Sequence, residues 1–202
     1  MLTENNLPAI CELPLHYLSH KSHNTEQTSE ILLEEIKGLR HYTLRGDSED
    51  KIFNNAIKEA LNVALPIAPK QACMSGRVNL FWLSPNEWLM LCGDEDSIWL
   101  EDQLHQHLSG HYALIDNSSG QTLLRVSGMK VHSLLMHSCV YDFSPNNFKL
   151  KTCIQTKFAQ ASAMVFKRDD NVFDLFIRRS FADYIGAWCL DASHEYNVCL
   201  AK

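Results

Sequence analysis

The chain has 202 residues, of which 46% are apolar and 21% charged, an ordinary composition for one sizeable domain or two small lobes that share a core. Its 18 basic and 24 acidic residues give a net charge of −6, which argues against nucleic-acid binding because such proteins neutralise phosphates with basic residues. Seven cysteines without a C-x-x-C pair, no recognisable secretory leader and no apolar run of membrane-spanning length indicate a reduced, cytoplasmic protein.

Residues 1–38 are predicted to form an N-terminal arm and a flexible loop, which precede a folded domain at residues 39–202. The arm contains prolines and four apolar residues that are candidate anchors: Leu13, Leu15, Tyr17 and Leu18. A polar stretch at residues 19–30 indicates the loop. Residues 31–36 fit either a short helix or a strand, and residues 41–45 predict a strand that ends in a turn.

The next predicted elements are an amphipathic helix and a hairpin. Ser48 is a favourable N-cap for the helix, and Pro66 stops its apolar periodicity. The apolar face consists of Phe53, Ala56, Ile57, Ala60, Leu61 and Ala64. After a loop at residues 65–76, the apolar runs 78–83 and 88–92 flank a turn that contains proline and asparagine. We expect these runs to form a hairpin that is buried on both faces.

A second helix and a second hairpin are expected to follow. Asp94 or Asp96 is a suitable cap for the helix, and Gly110 is expected to end it. Three leucines stack on one face of this helix at four-residue intervals: Leu100, Leu104 and Leu108. Residues 111–116 and 121–127 flank an Asn-Ser-Ser-Gly sequence, which predicts a second hairpin.

The C-terminal part is predicted to contain two helices and three strands. A helix at residues 130–137 precedes strands at 154–160, 163–167 and 172–177, and Ser180 is the predicted cap of the last helix. One face of that helix is expected to carry Phe181, Tyr184, Ile185, Trp188 and Ala192. Hairpins beside helices predict an α+β fold with mixed or antiparallel sheets and flanking helices, in contrast to a doubly wound parallel sheet.

Motifs for nucleotide, metal and nucleophile chemistry are weak in this sequence. The eight glycines form neither G-x-G-x-x-G nor G-x-x-x-x-G-K, and no cysteine belongs to a Cys/His signature. His105 and His107 point about 200° apart on a helix, so together with His111 they are interpreted as solvent-facing residues. Ser127 and Lys130 match S-x-x-K without its companion motifs and are interpreted as a strand end running into a helix start.

Four residues are singled out for binding or structural roles. Asp116 is interpreted as an Asx-turn residue, with a general acid or a ligand for a substrate amine as the alternative. Arg178 and Arg179 precede the last helix and are either solvated charges or partners for acidic residues of another protein. Together with Trp88, whose spacing also fits a core position, they are our candidate residues for a partner interface. No catalytic, cofactor-binding or metal-binding residue is assigned.

Five segments of the chain, in their order and spacing, resemble the gamma subunit family of heterotetrameric sarcosine oxidase. They are Leu44-Arg45-Gly46, Leu83-Ser84-Pro85-Asn86-Glu87-Trp88-Leu89, the stretch from Asp116 to Gly128, Gln155-Thr156, and Arg178-Arg179-Ser180-Phe181-Ala182-Asp183-Tyr184 with Trp188 and Leu190-Asp191-Ala192. The likeness spans about residues 39–195. Met129 stands where the family usually has proline.

This resemblance implies a fold similar to the folate-binding aminomethyltransferase of the glycine cleavage system. It also implies a complex that demethylates sarcosine oxidatively to glycine, in which alpha, beta and delta subunits are the partners. FAD, FMN, NAD, folate and zinc then belong to those partners, and this chain is a non-catalytic structural subunit that contributes assembly surface. The sequence agrees in having no glycine-rich phosphate loop and no zinc-ligand spacing.

A stand-alone protein is the alternative: a folate-binding protein for one-carbon transfer, or for tRNA or iron–sulfur maintenance. The aminomethyltransferases carry a Thr-Gly-Tyr-Thr-Gly-Glu motif whose glutamate anchors the pterin. The corresponding residues 160–166 contain neither glycine nor glutamate, so we expect the pocket to be lost or filled by side chains. A further option is a free-standing domain that has kept the fold and lost the complex.

Overall fold

The computed structural model describes Leu15 and residues 29–201. The elements in that part of the chain are β1 (Ile31–Ile36), β2 (Leu39–Arg45), α1 (Lys51–Leu61), β3 (Ala72–Met74), β4 (Val78–Ser84), β5 (Glu87–Gly93), α2 (Ser97–His107), β6 (Ala113–Asp116), β7 (Gln121–Ser127), α3 (Val131–Ser138), β8 (Cys153–Phe158), β9 (Ala161–Asp169), β10 (Val172–Arg178), α4 (Ala182–Ala192) and β11 (Val198–Leu200). The region left open at residues 31–36 is therefore a strand.

The strands form two sheets. The first sheet has the order β11-β1-β7-β10-β9-β8, and the second has the order β3-β4-β5-β2-β6. All neighbouring strands are antiparallel except β1 and β11, which are parallel. The predicted α+β fold with mixed and antiparallel sheets is confirmed.

Three clusters of buried apolar side chains divide the fold into layers. The cluster between the two sheets includes Phe81, Leu89 and Leu91 from the second sheet and Leu123, Met164, Phe166 and Phe176 from the first. Helices α1 and α2 cover the other face of the second sheet, and α3 and α4 cover the other face of the first. The layers thus run helices, sheet, sheet, helices, and each sheet is buried on both faces.

The first predicted hairpin is confirmed. Strands β4 and β5 pair up to Ser84 and Glu87, so that a two-residue loop joins them. Along β5, Trp88 and Met90 belong to the cluster under α1 and α2, while Leu89 lies between the sheets. The strand is apolar at adjacent positions because it has a core on each side.

The second predicted hairpin is wrong. Strand β6 pairs with β2 in the second sheet, whereas β7 lies between β1 and β10 in the first. Residues 117–120 therefore carry the chain from one sheet to the other. We call this segment the crossing loop.

The helix starts differ from the prediction in two places. Helix α1 is capped by Asp50, whose carboxylate accepts a hydrogen bond from the Ile52 N–H at 2.8 Å, and Ser48 instead contacts Asn86. Helix α4 begins after Phe181, one residue beyond the predicted cap Ser180, because a 3-10 turn comes first. Two short strands, β3 and β11, were absent from the prediction.

The predicted arm contributes to the folded core. Strand β1 is an internal strand between β11 and β7. The side chain of Leu15 is buried in the cluster under α3 and α4, and its N–H donates to the buried Glu35 carboxylate at 3.0 Å. The predicted boundary at residue 39 thus falls between two strands of the folded part, and the other candidate anchors lie outside the described residues.

The S-x-x-K segment is a strand end that runs into a helix, as interpreted. Strand β7 ends at Ser127, and Lys130 directly precedes α3. Between them Gly128 has a φ of +119°, and a Cβ there would collide with the carbonyl oxygen of Glu30. A glycine at this position lets the chain turn tightly against the start of β1.

Candidate functional site

The layer between the two sheets opens at one end into a groove, which we call the mouth groove. It consists of two adjoining hollows of about 570 and 540 Å³. The two hollows share four lining residues: Leu83, Glu87, Gln121 and Arg178. These residues come from both sheets, so the groove is a product of the sandwich and not of one strand or loop.

The groove has an apolar floor and a polar rim. The floor is formed by Leu89, Met164 and Phe176, which are nearly fully buried in the inter-sheet core. On the rim, the side-chain amide of Gln155 donates to the carbonyl oxygen of Leu83 at 2.6 Å and links the sheets. An apolar slot with a few polar groups at its edge is typical of a binding site.

The charges at the groove are only partly neutralised. Arg45 lies 3.0 Å from the Glu87 carboxylate, so this pair carries no net charge. The Arg178 side chain is exposed and makes no hydrogen bond or ion pair with another described residue. The Lys157 side chain is also exposed, and its ammonium group has no partner within that part of the chain. The groove therefore has a net positive charge in a protein of negative net charge.

The crossing loop forms one wall of the groove and is held by hydrogen bonds. The Asn117 side chain donates to the Thr43 hydroxyl at 2.7 Å, and its N–H donates to the His41 carbonyl at 2.8 Å. The Asp116 carboxylate accepts the Ser118 N–H at 2.8 Å, which confirms the predicted Asx-turn role. These bonds give the groove a defined wall before any partner binds.

Residues from all five segments that resemble the sarcosine oxidase gamma subunit family line this groove. Arg45, Leu83, Gln121, Gln155 and Arg178 each come from a different segment. The segments lie far apart in the sequence, and folding brings them together at one end of the sandwich.

The three predicted interface residues have different positions. Arg178 lines the groove, and Arg179 is exposed in the 3-10 turn that precedes α4. Trp88 is fully buried, and its indole N–H donates to the Pro66 carbonyl at 2.7 Å. The assignment of Trp88 to an interface is wrong, because a side chain enclosed by the core cannot reach a partner; it is the core residue that its spacing also indicated.

The candidate histidines do not come together. His105 lies 3.2 Å from the Tyr112 hydroxyl, and His107 lies 2.8 Å from the Gln103 carbonyl. Within residues 29–201 and Leu15, no three His, Cys, Asp or Glu residues are placed to hold a metal ion.

Three buried cysteines are poorly suited to act as nucleophiles. Burial raises the pKa of the Cys92 and Cys139 thiols to about 12 and that of Cys153 to about 11. Because the thiolate is the reactive form, these side chains are unreactive at neutral pH.

Sequence reasoning missed a buried histidine beside the groove. His41 is 3% exposed and packs edge-on against Phe176, with ring centres 6.2 Å apart. Neither ring nitrogen has a hydrogen-bond partner among the described residues. Burial lowers the pKa of His41 to about 4, although the negative charge of Asp116 acts in the opposite direction. The only local signal for the burial of His41 is its inward position in β2. Its sequence neighbours are polar or aromatic and do not themselves indicate a buried site.

The segment that corresponds to the pterin-anchoring motif is part of two cores. Ala163 and Val165 of β9 belong to the cluster under α3 and α4, and Met164 and Phe166 lie between the sheets. Residues 160–166 contain no carboxylate to offer a pterin, and Ser162, Ala163 and Met164 of this segment line the mouth groove.

A larger hollow of about 890 Å³ adjoins the groove at the loop before α1. Two of its carboxylates are used locally: Asp47 accepts the Glu49 N–H at 2.9 Å, and Asp50 caps α1. The polar groups of this loop stabilise the start of a helix, so we place the candidate site in the mouth groove. None of the described helices is long and apolar enough to span a bilayer.

Comparison with known proteins agrees with the resemblance. A family model described as the sarcosine oxidase, gamma subunit family, matches residues 45–195. The sarcosine oxidase subunit gamma of Corynebacterium sp. (strain U-96) is 27% identical over 146 residues, which are 71% of this chain and 70% of that protein. The subunit gamma of Arthrobacter sp is 26% identical over 144 residues, 70% of each protein.

Two solved structures have a similar fold. A chain of the heterotetrameric sarcosine oxidase from Corynebacterium sp. U-96, in complex with pyrrole 2-carboxylate, has a TM-score of 0.81 at 20% identity and covers 95% of this chain and 98% of its own. The glycine cleavage system aminomethyltransferase T from Bartonella henselae has a TM-score of 0.65 at 12% identity, with 94% of this chain and 58% of that one covered. The predicted similarity to the aminomethyltransferase fold is confirmed.

Proposed function

This chain belongs to the sarcosine oxidase gamma subunit family, and from that premise we propose that it is a non-catalytic structural subunit of a heterotetrameric sarcosine oxidase. The match of the family model over residues 45–195 carries this proposal. The likeness to a chain of a heterotetrameric sarcosine oxidase over almost its full length supports it.

The partners in this proposal are the alpha, beta and delta subunits, which hold the FAD, FMN, NAD, folate and zinc. This division of labour is supported by the absence of a glycine-rich phosphate loop from the sequence. The role of this chain is to supply a rigid surface, and the preformed mouth groove is the part of it best suited to contact a partner.

A stand-alone folate-binding protein is the second candidate, because the aminomethyltransferase T has a similar fold. The composition of residues 160–166 counts against it, since they include no carboxylate, and a pterin buried without one would leave its N–H donors unpaired, at a cost of about 1–3 kcal/mol.

Affinity purification of the tagged full chain from its native cells tests the proposal. We expect the chain to retain flavoprotein subunits, identified by mass spectrometry and by flavin absorbance, with an untagged strain as the control. Recovery of the chain without any flavoprotein would contradict the proposal. Calorimetric titration of the isolated chain with tetrahydrofolate distinguishes the second candidate, which alone predicts stoichiometric heat of binding.

A further inference from the structure

The strand register aligns the free cations of the mouth groove in one row. Lys157 of β8 lies opposite Ser162 of β9, and Arg178 of β10 lies opposite Gln121 of β7. The pairing of Ala163 with Ile177 places Ser162 beside Arg178. Residues opposite each other in a sheet point to the same face. The row therefore crosses four adjacent strands, and all four of its side chains line the same hollow.

A second row lies behind the first, two residues further into the sandwich. Gln155 is opposite Met164, and Phe176 is opposite both Met164 and Leu123. Apart from the amide of Gln155, this row is apolar and belongs to the inter-sheet core. The groove thus presents charged groups at its entrance and an apolar surface behind them.

The spacing of the two cations defines what can bind. Lys157 and Arg178 stand two strands apart, which is about 10 Å between their backbones. One small anion at this opening would meet one cation, whereas an extended segment covers about 10 Å with three residues. Side chains two residues apart in an extended segment point to the same face and lie about 7 Å apart. The long side chains of Lys157 and Arg178 can close the remaining distance, so two carboxylates at such positions would meet both cations.

We propose that the mouth groove binds an extended acidic segment of another sarcosine oxidase subunit, with one carboxylate on Arg178 and a second on Lys157. This inference rests on the proposed function, because the occupant is a partner subunit. The main support is charge complementarity between the positively charged groove and an acidic segment. Among the described residues, Arg45 is the one further cation that lines these two hollows, and it is neutralised by Glu87, so Arg178 and Lys157 are left to attract acids.

Arg178 is expected to contribute more than Lys157. Arg178 lines both hollows and lies beside Phe176, so a bound segment would shield its ion pair from water. Lys157 lies on the outermost strand of the sheet, where solvent weakens an ion pair.

A competition experiment tests the groove. Wild-type and variant full chains with different tags are co-expressed with the other subunits, and their ratio in the purified complex is measured by intact mass spectrometry. We expect Arg178→Glu to be incorporated at least 10-fold less than wild type, and Lys157→Glu about 3-fold less. The matched control, Lys149→Glu, reverses an exposed charge outside the groove and should be incorporated equally.

The outcomes separate this inference from the function on which it rests. A complex that lacks the wild-type chain overturns both proposals. A complex that takes up wild type and Arg178→Glu equally overturns only the proposal that the groove binds an acidic segment.

Thermal melting of each isolated variant checks its folding. Deuterium exchange of the wild-type complex gives an independent readout: slower exchange at residues 155–162 and 176–178 is expected, and unchanged exchange there would contradict binding in the groove. Self-association of the isolated chain that Arg178→Glu abolishes would identify a second copy as the occupant instead.

Discussion

Strand β10 carries two charged residues on the same face, and their surroundings are opposite. Asp174 is fully buried, and each of its oxygens accepts a hydrogen bond from an arginine: Arg125 at 2.8 Å and Arg168 at 2.7 Å. Arg178, four residues along the strand, is exposed in the mouth groove without an acidic partner in the described chain. A charge that the fold itself pairs serves stability, and a charge left unpaired at a groove is available for binding.

The two sites differ because desolvation makes opposite demands on them. A carboxylate enclosed between two sheets must be matched by hydrogen bonds, since an unpaired buried charge costs several kcal/mol. An exposed guanidinium is already solvated by water and needs no partner in the isolated protein. The same strand can therefore hold a structural ion pair at one end and a binding group at the other.

The largest expected effect is that of Asp174→Ala. Removing the carboxylate leaves Arg125 and Arg168, both partly buried, facing each other without their shared partner. We expect the free energy of unfolding to fall by about 3 kcal/mol, measured by urea denaturation. Asp102→Ala, which removes an exposed acid from α2, is the control and should change little. An equally small change in both variants would show that the pair is not structural.

The pH dependence of stability tests, at His41, how strongly burial disfavours a charged side chain. Its pKa is about 4 in the folded protein and 6.5 when unfolded, so below pH 6.5 the unfolded chain gains a proton that the folded chain does not. Stability should therefore decline between about pH 6.5 and pH 4, by on the order of 3 kcal/mol, and then level off.

The variant His41→Leu should remove most of this decline, because it has no group that takes up the proton. His137→Leu alters an exposed histidine and should keep the wild-type dependence. Unfolding titrations at several pH values supply the measurement. If the His41 variant loses stability with acid as steeply as wild type, another group is responsible.

The smallest expected effect is that of Arg178→Ala on the isolated chain. Because the guanidinium has no partner in the described fold, its loss should change the free energy of unfolding by no more than about 0.5 kcal/mol in urea denaturation. A loss as large as that of Asp174→Ala would place Arg178 among the structural charges and remove the contrast between the two ends of β10.

The sequence by itself determined the elements whose signals are local. Helical spacing in α1, the Pro-Asn turn between β4 and β5, and the Asx turn at Asp116 depend on residues a few positions apart, and the structure contains all three. The resemblance of five separated segments likewise identified the family that the comparisons show.

Tertiary structure decided which sheet each strand joins and which side chains meet. The Asn-Ser-Ser-Gly sequence has the same turn chemistry in a hairpin as in a crossing loop, and only the burial of β7 between β1 and β10 sends the chain to the other sheet. Long-range register likewise placed Lys157 and Arg178 in one row. Such outcomes depend on contacts between residues far apart in the chain, which local periodicity does not encode.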